Sequence, residues 1–212
     1  MALINTLREL HTCFGQPLTM ARLRSVILLI TRAHYGDPDN FGPLKDDLKC
    51  LKYDPENKEK GTMGIELGSV VDVKTAGILP PGIYIDFDGK CTWEKKVLNN
   101  LAGSSADNSV SNYAWLNRAN IIVSHFSDSI DLSLTMAEST TSLFLGLRPH
   151  LMHMLDLNLL EVESLTFPKP SEKDVERYFQ VDLNLSIVFN FNMSVNLESH
   201  RLKKFALELS DT

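Results

Sequence analysis

The sequence predicts an α+β fold, with a mixed, mainly antiparallel sheet, a long β-hairpin and helices packed on one face. Three observations carry that expectation. Between residues 179 and 197 apolar and polar residues alternate almost without a break. Residues 130 to 157 place apolar side chains at helical spacing, and several short β-prone runs bounded by Gly, Pro, Asp and Ser lie upstream.

In chain order, residues 2 to 34 read as helical with a break at Gly15-Gln16-Pro17. The second helix carries Met20, Leu23, Val26, Ile27 and Ile30 on one stripe. The stretch 35 to 60, with Gly36-Asp37-Pro38-Asp39-Asn40 and Asp54-Pro55-Glu56-Asn57-Lys58, reads as exposed loops around one short element. The chain therefore divides into an N-terminal helical segment with loops, 1–61, and an α+β body, 62–212. Within the body, Ile83-Tyr84-Ile85-Asp86-Phe87 and Lys90-Cys91-Thr92-Trp93-Glu94 flank Asp88-Gly89, a short-range hairpin signal. Residues 99–112 include Gly103-Ser104-Ser105-Ala106-Asp107-Asn108-Ser109, polar enough to predict a mobile loop. A buried strand is expected at 119 to 126, with Ser127 and Asp128 capping the helix that follows. Another strand is expected at 160 to 167, ended by Pro168-Lys169-Pro170.

At 212 residues, 43% hydrophobic and 23% charged, the chain has the composition of a soluble globular protein. The longest apolar run, Val26-Ile27-Leu28-Leu29-Ile30, is far too short to span a bilayer. The N-terminus lacks the order of a secretion signal, so an intracellular protein without a membrane partner is expected. Cys13, Cys50 and Cys91 are odd in number and scattered, which fits free thiols rather than a disulfide frame or a zinc site. A net charge of −6 argues against a protein that grips phosphate backbones, though not against one past which DNA slides.

Two clusters invite a catalytic reading. His150, His153 and Asp156 follow one another at intervals of three, yet on a helix they fan from the margin of the apolar face toward the polar side. With no H-x-x-x-H or Cys-rich partner, packing is the expected role of this helix, and neither metal nor cofactor is expected. Its core face is Met136, Ala137, Leu143, Phe144, Leu147, Leu151, Met154 and Leu155, with Pro149 bending it on the solvent side. Asp86 followed by Glu94 and Lys96 resembles the core of restriction-like metal-dependent nucleases. A two-residue turn at Asp88-Gly89 would send Asp86 and Glu94 to opposite faces, so this stays the rival reading. Ser124, His125 and Asp128 mimic a triad only in sequence, because strand neighbours face opposite sides.

The alternating run has the signature of one strand with one buried and one wet face. At about 3.3 Å per residue it would extend roughly 60 Å, longer than its own core requires. A turn near Ser199-His200 and a last run, Phe205, Leu207 and Leu209, would make it one arm of a hairpin. Phe189, Phe191, Met193 and Val195 in its outer half are then expected to meet another copy of the chain. Leu134, Leu145 and Met152, a second apolar stripe on the helix, mark a further contact.

A strand near residue 121, a long helix, a strand near 162, a Pro-rich link with acidic residues and a long alternating strand together form an order of elements. This order, over residues 62 to 209, resembles the tail-terminator and head-to-tail joining, or neck, proteins of tailed bacteriophages. The resemblance rests on arrangement, not on a short motif. It implies a non-enzymatic virion subunit, made in the host cytoplasm, that assembles as a ring, commonly a hexamer. Such a ring caps the tail tube, meets the head connector and lets DNA pass through its lumen without sequence-specific binding. A tube or baseplate subunit of the same kind of particle is the competing assembly reading.

Overall fold

A computed structural model describes residues 18–54, 62–68, 81–93, 101–104, 110–166, 169–170 and 178–196. For 89–91, 93, 101–104, 110–115, 169–170 and 191–196 it describes the backbone alone. The elements in order are helix α1, Met20–Tyr35, a 3-10 segment, Pro38–Leu44, and helix α2, Lys45–Leu48; then strands β1, Gly64–Leu67, β2, Gly82–Trp93, β3, Leu101–Ser104, and β4, Val110–Ser127. Helix α3, Ile130–Met154, follows, with β5, Leu157–Leu165, β6, Lys169–Pro170, and β7, Phe179–Asn196.

The fold is α+β, built on one open sheet in the order β1-β2-β4-β7-β5, with β3 paired to β4 and β6 to β7. Only β1 and β2 pair in parallel; the other pairings are antiparallel. Because β4 and β5 each run antiparallel to β7, they are parallel to each other, joined through α3, and β7 occupies the gap between them. The arrangement is a split βαβ unit.

Register puts Ile65, Ile83, Ile85, Ala119, Ile121, Val123, Leu183, Leu185, Ile187 and Phe189 on one face of the sheet, all fully buried. Leu23, Ile27 and Ile30 of α1 and Met136, Phe144 and Leu151 of α3 close the same core over that face. The helical stripe and the strand alternation are two periodicities cut from one apolar layer. The core face expected of α3 is the one observed, with Met136, Ala137, Leu143, Phe144, Leu151 and Leu155 buried, Leu147 and Met154 packed at its rim, and Pro149 exposed.

The segment after α1 is more than exposed loop. Phe41, Leu48 and Leu51 enter the core, and Asn40 donates its side-chain amide to the Ala33 and His34 carbonyls at 3.2 Å. Those carbonyls belong to the last turn of α1, where the helix has no acceptor use of its own for them.

Four expectations change. Asp88-Gly89 is not a hairpin turn: β2 continues through it, and Asp88, Gly89 and Lys90 bulge opposite the single residue Asn120. The pairing of Phe87 with Ile121 and of Cys91 with Ala119 keeps β2 on the same partner, so the extra residues are absorbed locally rather than by reversal. The stretch 99–112 is not a loop throughout, because β3 pairs with the first residues of β4, Leu101 with Tyr113 and Ser104 with Ser111. Backbone pairing needs no apolar side chain, so a polar stretch can still form a ladder. The wet face of β7 is only partly wet: Asp182, Asn184 and Asn190 are half-buried, while Ser186 and Val188 are buried. A central strand of small side chains is shielded by neighbours on both sides. Finally, the helix start at Ser129 receives no side-chain cap; Ser127 instead bonds the Ser129 backbone and the Ser133 hydroxyl, which in turn donates to the Phe179 carbonyl at 2.9 Å. The hairpin arm expected at Phe205, Leu207 and Leu209 lies outside the described residues; the long partner of β7 is β4.

Two glycines separate tight from open positions. A Cβ at Gly82 would lie 2.5 Å from the tip of the Phe126 ring, whereas one at Gly146, on the outside of α3, meets nothing within 4 Å. Phe126 stacks on Tyr84 with centroids 5.1 Å apart, so it can yield only by breaking that stack. Gly82→Ala is expected to destabilise by about 1 to 3 kcal/mol. Gly146→Ala is expected to stabilise by about 0.5 to 1 kcal/mol. Urea midpoints of the two variants check both signs.

Candidate assembly surface

The feature that outruns the core is the β4/β7 ladder. It pairs Ser127 with Phe179 at one end and Val110 with Asn196 at the other, without a register break. Such a ladder follows from the alternating sequence of β7, which gives one face to the core wherever helices cover it. Among the described residues β2 accompanies β4 as far as Trp93 opposite Asn117, and β5 accompanies β7 as far as Leu157 opposite Phe189. Asn117 and Phe189 are partners of each other, so both flanking strands stop at the same rung. From Leu116 opposite Asn190 to Val110 opposite Asn196 the pair continues for about 20 Å more. Along that length β3 lies on the β4 side, and among the described residues no strand lies on the β7 side.

The residues expected at an interface are placed as follows. Phe189 belongs to the chain's own core, with no exposed surface, because the flanking strands reach as far as its rung; as a contact to another copy it is withdrawn. Phe191, Met193 and Val195 lie on the extension, paired through the backbone with Trp115, Tyr113 and Ser111. On α3, Leu145 is 52% exposed, while Leu134 and Met152 are half-buried, Met152 against the core.

Both buried histidines and Tyr35 are held by hydrogen bonds inside the fold. His125 projects from β4 under α3, its Nδ1 3.3 Å from the Val181 carbonyl and its Nε2 2.8 Å from Thr140 Oγ1. A carbonyl can only accept, so Nδ1 carries the proton and Nε2 accepts from the Thr140 hydroxyl. The Tyr35 hydroxyl then donates to the Met136 carbonyl at 2.8 Å. Burial pushes that hydroxyl up, against the smaller opposing influence of the neighbouring Thr140 and Ser139 hydroxyls. His34 meets Ser139 Oγ through Nε2 at 2.9 Å, while its buried Nδ1 has no hydrogen-bond partner. A lone pair there costs less than an unpaired N–H would, which fixes the neutral tautomer. Burial lowers both histidines from 6.5 to about 4, with the Val181 carbonyl and Asp182 opposing it at His125.

The catalytic candidates are dispersed. His150 and His153 are exposed on the outside of α3, and Asp156 takes φ 49° in the turn between α3 and β5. That left-handed position suits a short polar residue, so the spacing that suggested a ligand set reflects a helix running into a turn. Ser124 donates to Asp182 at 2.6 Å on the opposite face of the sheet from His125, and Asp128 is exposed. Asp86 is held by Arg24 at 3.3 Å. Glu94 and Lys96 lie outside the described residues, but β2 carries the chain from Asp86 to Trp93 along one strand, about 20 Å. Among the described residues no three His, Cys, Asp or Glu side chains converge as a metal site, and no helix is long and apolar enough to cross a membrane.

The sequence matches no protein-family model and no curated protein.

The sequence reading passed over Ser133, Ser139 and Thr140, all buried between α3 and its neighbours. The signal was present, since Ser133 and Thr140 fall within the arc of Met136, Ala137 and Phe144 on a helical wheel.

The two neutral histidines set the pH response. The unfolded chain takes up protons near pH 6.5 and the folded chain only near 4, so stability is full above about 6.5 and falls as pH drops toward 4. At pH 5 the loss is expected to be roughly 2 kcal/mol for each histidine. Urea unfolding at pH 7 and pH 5 measures it, and His34→Gln and His125→Gln should each flatten the slope.

Proposed function

We propose that the chain is a structural, non-enzymatic subunit of a phage tail or neck, a tail terminator that assembles as a hexameric ring capping the tail tube and joining it to the head connector. The observation that carries this reading is the β4/β7 extension, which continues past the Asn117/Phe189 rung, where among the described residues both flanking strands end and no strand lies beside β7. A strand edge and its side chains beyond the core are of most use to a neighbouring subunit, which can add backbone pairs and cover apolar residues at once. The α+β class and the order of strand, long helix, strand and long strand agree with the resemblance drawn from sequence. The chemistry of the interior supports the same side: the buried histidines and tyrosine bond to backbone and hydroxyl groups, and Asp86 is engaged by an arginine. In the proposed ring the acidic chain lines a lumen through which DNA passes without being gripped.

Negative-stain images and sedimentation of the purified chain are expected to show a closed ring. Phe191→Asp with Val195→Asp should leave a folded subunit and abolish the ring, since a charge buried at a subunit contact costs several kcal/mol. Leu183→Asp with Leu185→Asp, in the subunit's own core, should unfold it. Circular dichroism distinguishes the two. Identical unfolding of both pairs would place the extension inside a self-contained domain and remove the ring reading. DNA cleavage with magnesium or manganese that is lost in Glu94→Ala would return the nuclease reading.

A further inference from the structure

The outer side of α3 carries a second seam. Leu134, Glu138, Thr141, Leu145, Arg148 and Met152 follow one another at intervals of 4, 3, 4, 3 and 4 residues, the spacing of a coiled-coil stripe. At about 100° per residue they fall within an arc of roughly 80° that borders the core face of the helix. Leu145, near the middle of the stripe, is 52% exposed. Glu138 is exposed, and Leu134, Thr141, Arg148 and Met152 are half-buried, Met152 against the core. Neither Glu138 nor Arg148 has an ion-pair partner among the described residues.

The stripe complements its own reversal. Reading it in both directions from the level of Leu143, Leu134 falls opposite Met152, Glu138 opposite Arg148 and Thr141 opposite Leu145. A two-fold axis across the helix at that level would therefore bring together apolar ends, two opposite-charge pairs and two Thr–Leu contacts. A stripe shaped for an unrelated partner has no reason to match itself in this order. We propose that α3 pairs with α3 of a second copy of this chain, antiparallel, about a two-fold axis level with Leu143. The seam is about 27 Å long, and one helix against its copy buries less than the roughly 1,200 Å² of a standard interface. The dimer is accordingly weak and concentration-dependent. The contact is isologous and closes on itself, whereas a cyclic ring needs a heterologous one, so this inference goes beyond the ring reading and does not rest on it.

Sedimentation equilibrium of the full chain over rising concentration tests the proposal. Leu145→Asp should weaken the dimer about a hundredfold, and the exposure of Leu145 leaves the fold intact by circular dichroism. Glu138→Arg or Arg148→Glu alone should weaken it about tenfold, and the two together should restore it, because each reversed charge again meets its opposite. Mixing a Leu134→Cys chain with a Met152→Cys chain should give a 134–152 disulfide between copies, identified by its cross-linked peptides. A dimer indifferent to Leu145→Asp, charge reversals that do not rescue each other, cross-links only between like positions, or no dimer at all would overturn the assignment. The Phe191→Asp, Val195→Asp chain should keep this dimer whatever becomes of the ring. Loss of the dimer in that chain would move the contact to β7.

Discussion

Everything in this molecule is positioned by the pairing of β4 with β7. The two strands exchange backbone bonds over their whole length, and β2, β3, β5 and β6 each attach to one or the other. An unpaired backbone group in the interior costs as much as a lost hydrogen bond, so a central ladder of this length fixes every neighbour's register. The same ladder also divides the protein. On one side of the Asn117/Phe189 rung it is the middle of a layered core, and on the other, among the described residues, β3 is the strand that lies beside it. One pair of strands thus belongs to the core at one end and runs beyond it at the other.

The helix above that ladder is located by polar contacts as much as by apolar ones. Ser127 with Ser133, His125 with Thr140, and Tyr35 with Met136 bind β4, α3 and α1 to one another inside the core. Apolar packing tolerates small slides between layers, whereas these bonds are directional and are satisfied in one position only. The arrangement holds with neutral imidazoles, and it is therefore most secure near neutral pH.

The parts of the fold visible in the sequence are those in which one face of one element meets the core. The alternation through Leu183, Leu185, Ile187 and Phe189 marks a strand whatever its partner is, and Met136, Phe144 and Leu151 mark a helix face. Pairing partners were harder to read. The first half of β4 runs through Ser111, Asn112 and Asn117 and does not look like a strand until β7 is laid beside it. Asp88-Gly89 has the composition of a turn, but a turn requires the chain to reverse, and β2 keeps to its long-range partner instead. Of the candidate contact residues, the extension beyond the core followed from strand length alone. Its starting point did not, because Phe189 is claimed by β5, and where β5 ends is decided by the tertiary structure. The charged members of the α3 stripe, Glu138 and Arg148, were overlooked because the search for an interface followed apolar residues only.

The insertion of β7 between β4 and β5 also has a bearing on how the chain reaches this state. β4, α3 and β5 are made first, and the two parallel strands they supply must wait, one strand's width apart, with their inner edges unpaired. β7 can reach β5 as a local hairpin, since Pro170 lies opposite Phe179 and Leu165 opposite Leu183, so it is the other edge of β7, against β4, that closes over a long separation. Closing it joins residues as far apart as Val110 and Asn196, a contact order that slows folding and prolongs the life of open edges. The last step is the one that converts two adhesive edges into a continuous sheet. Until then the nascent chain is exposed to wrong partners through its open backbone edges.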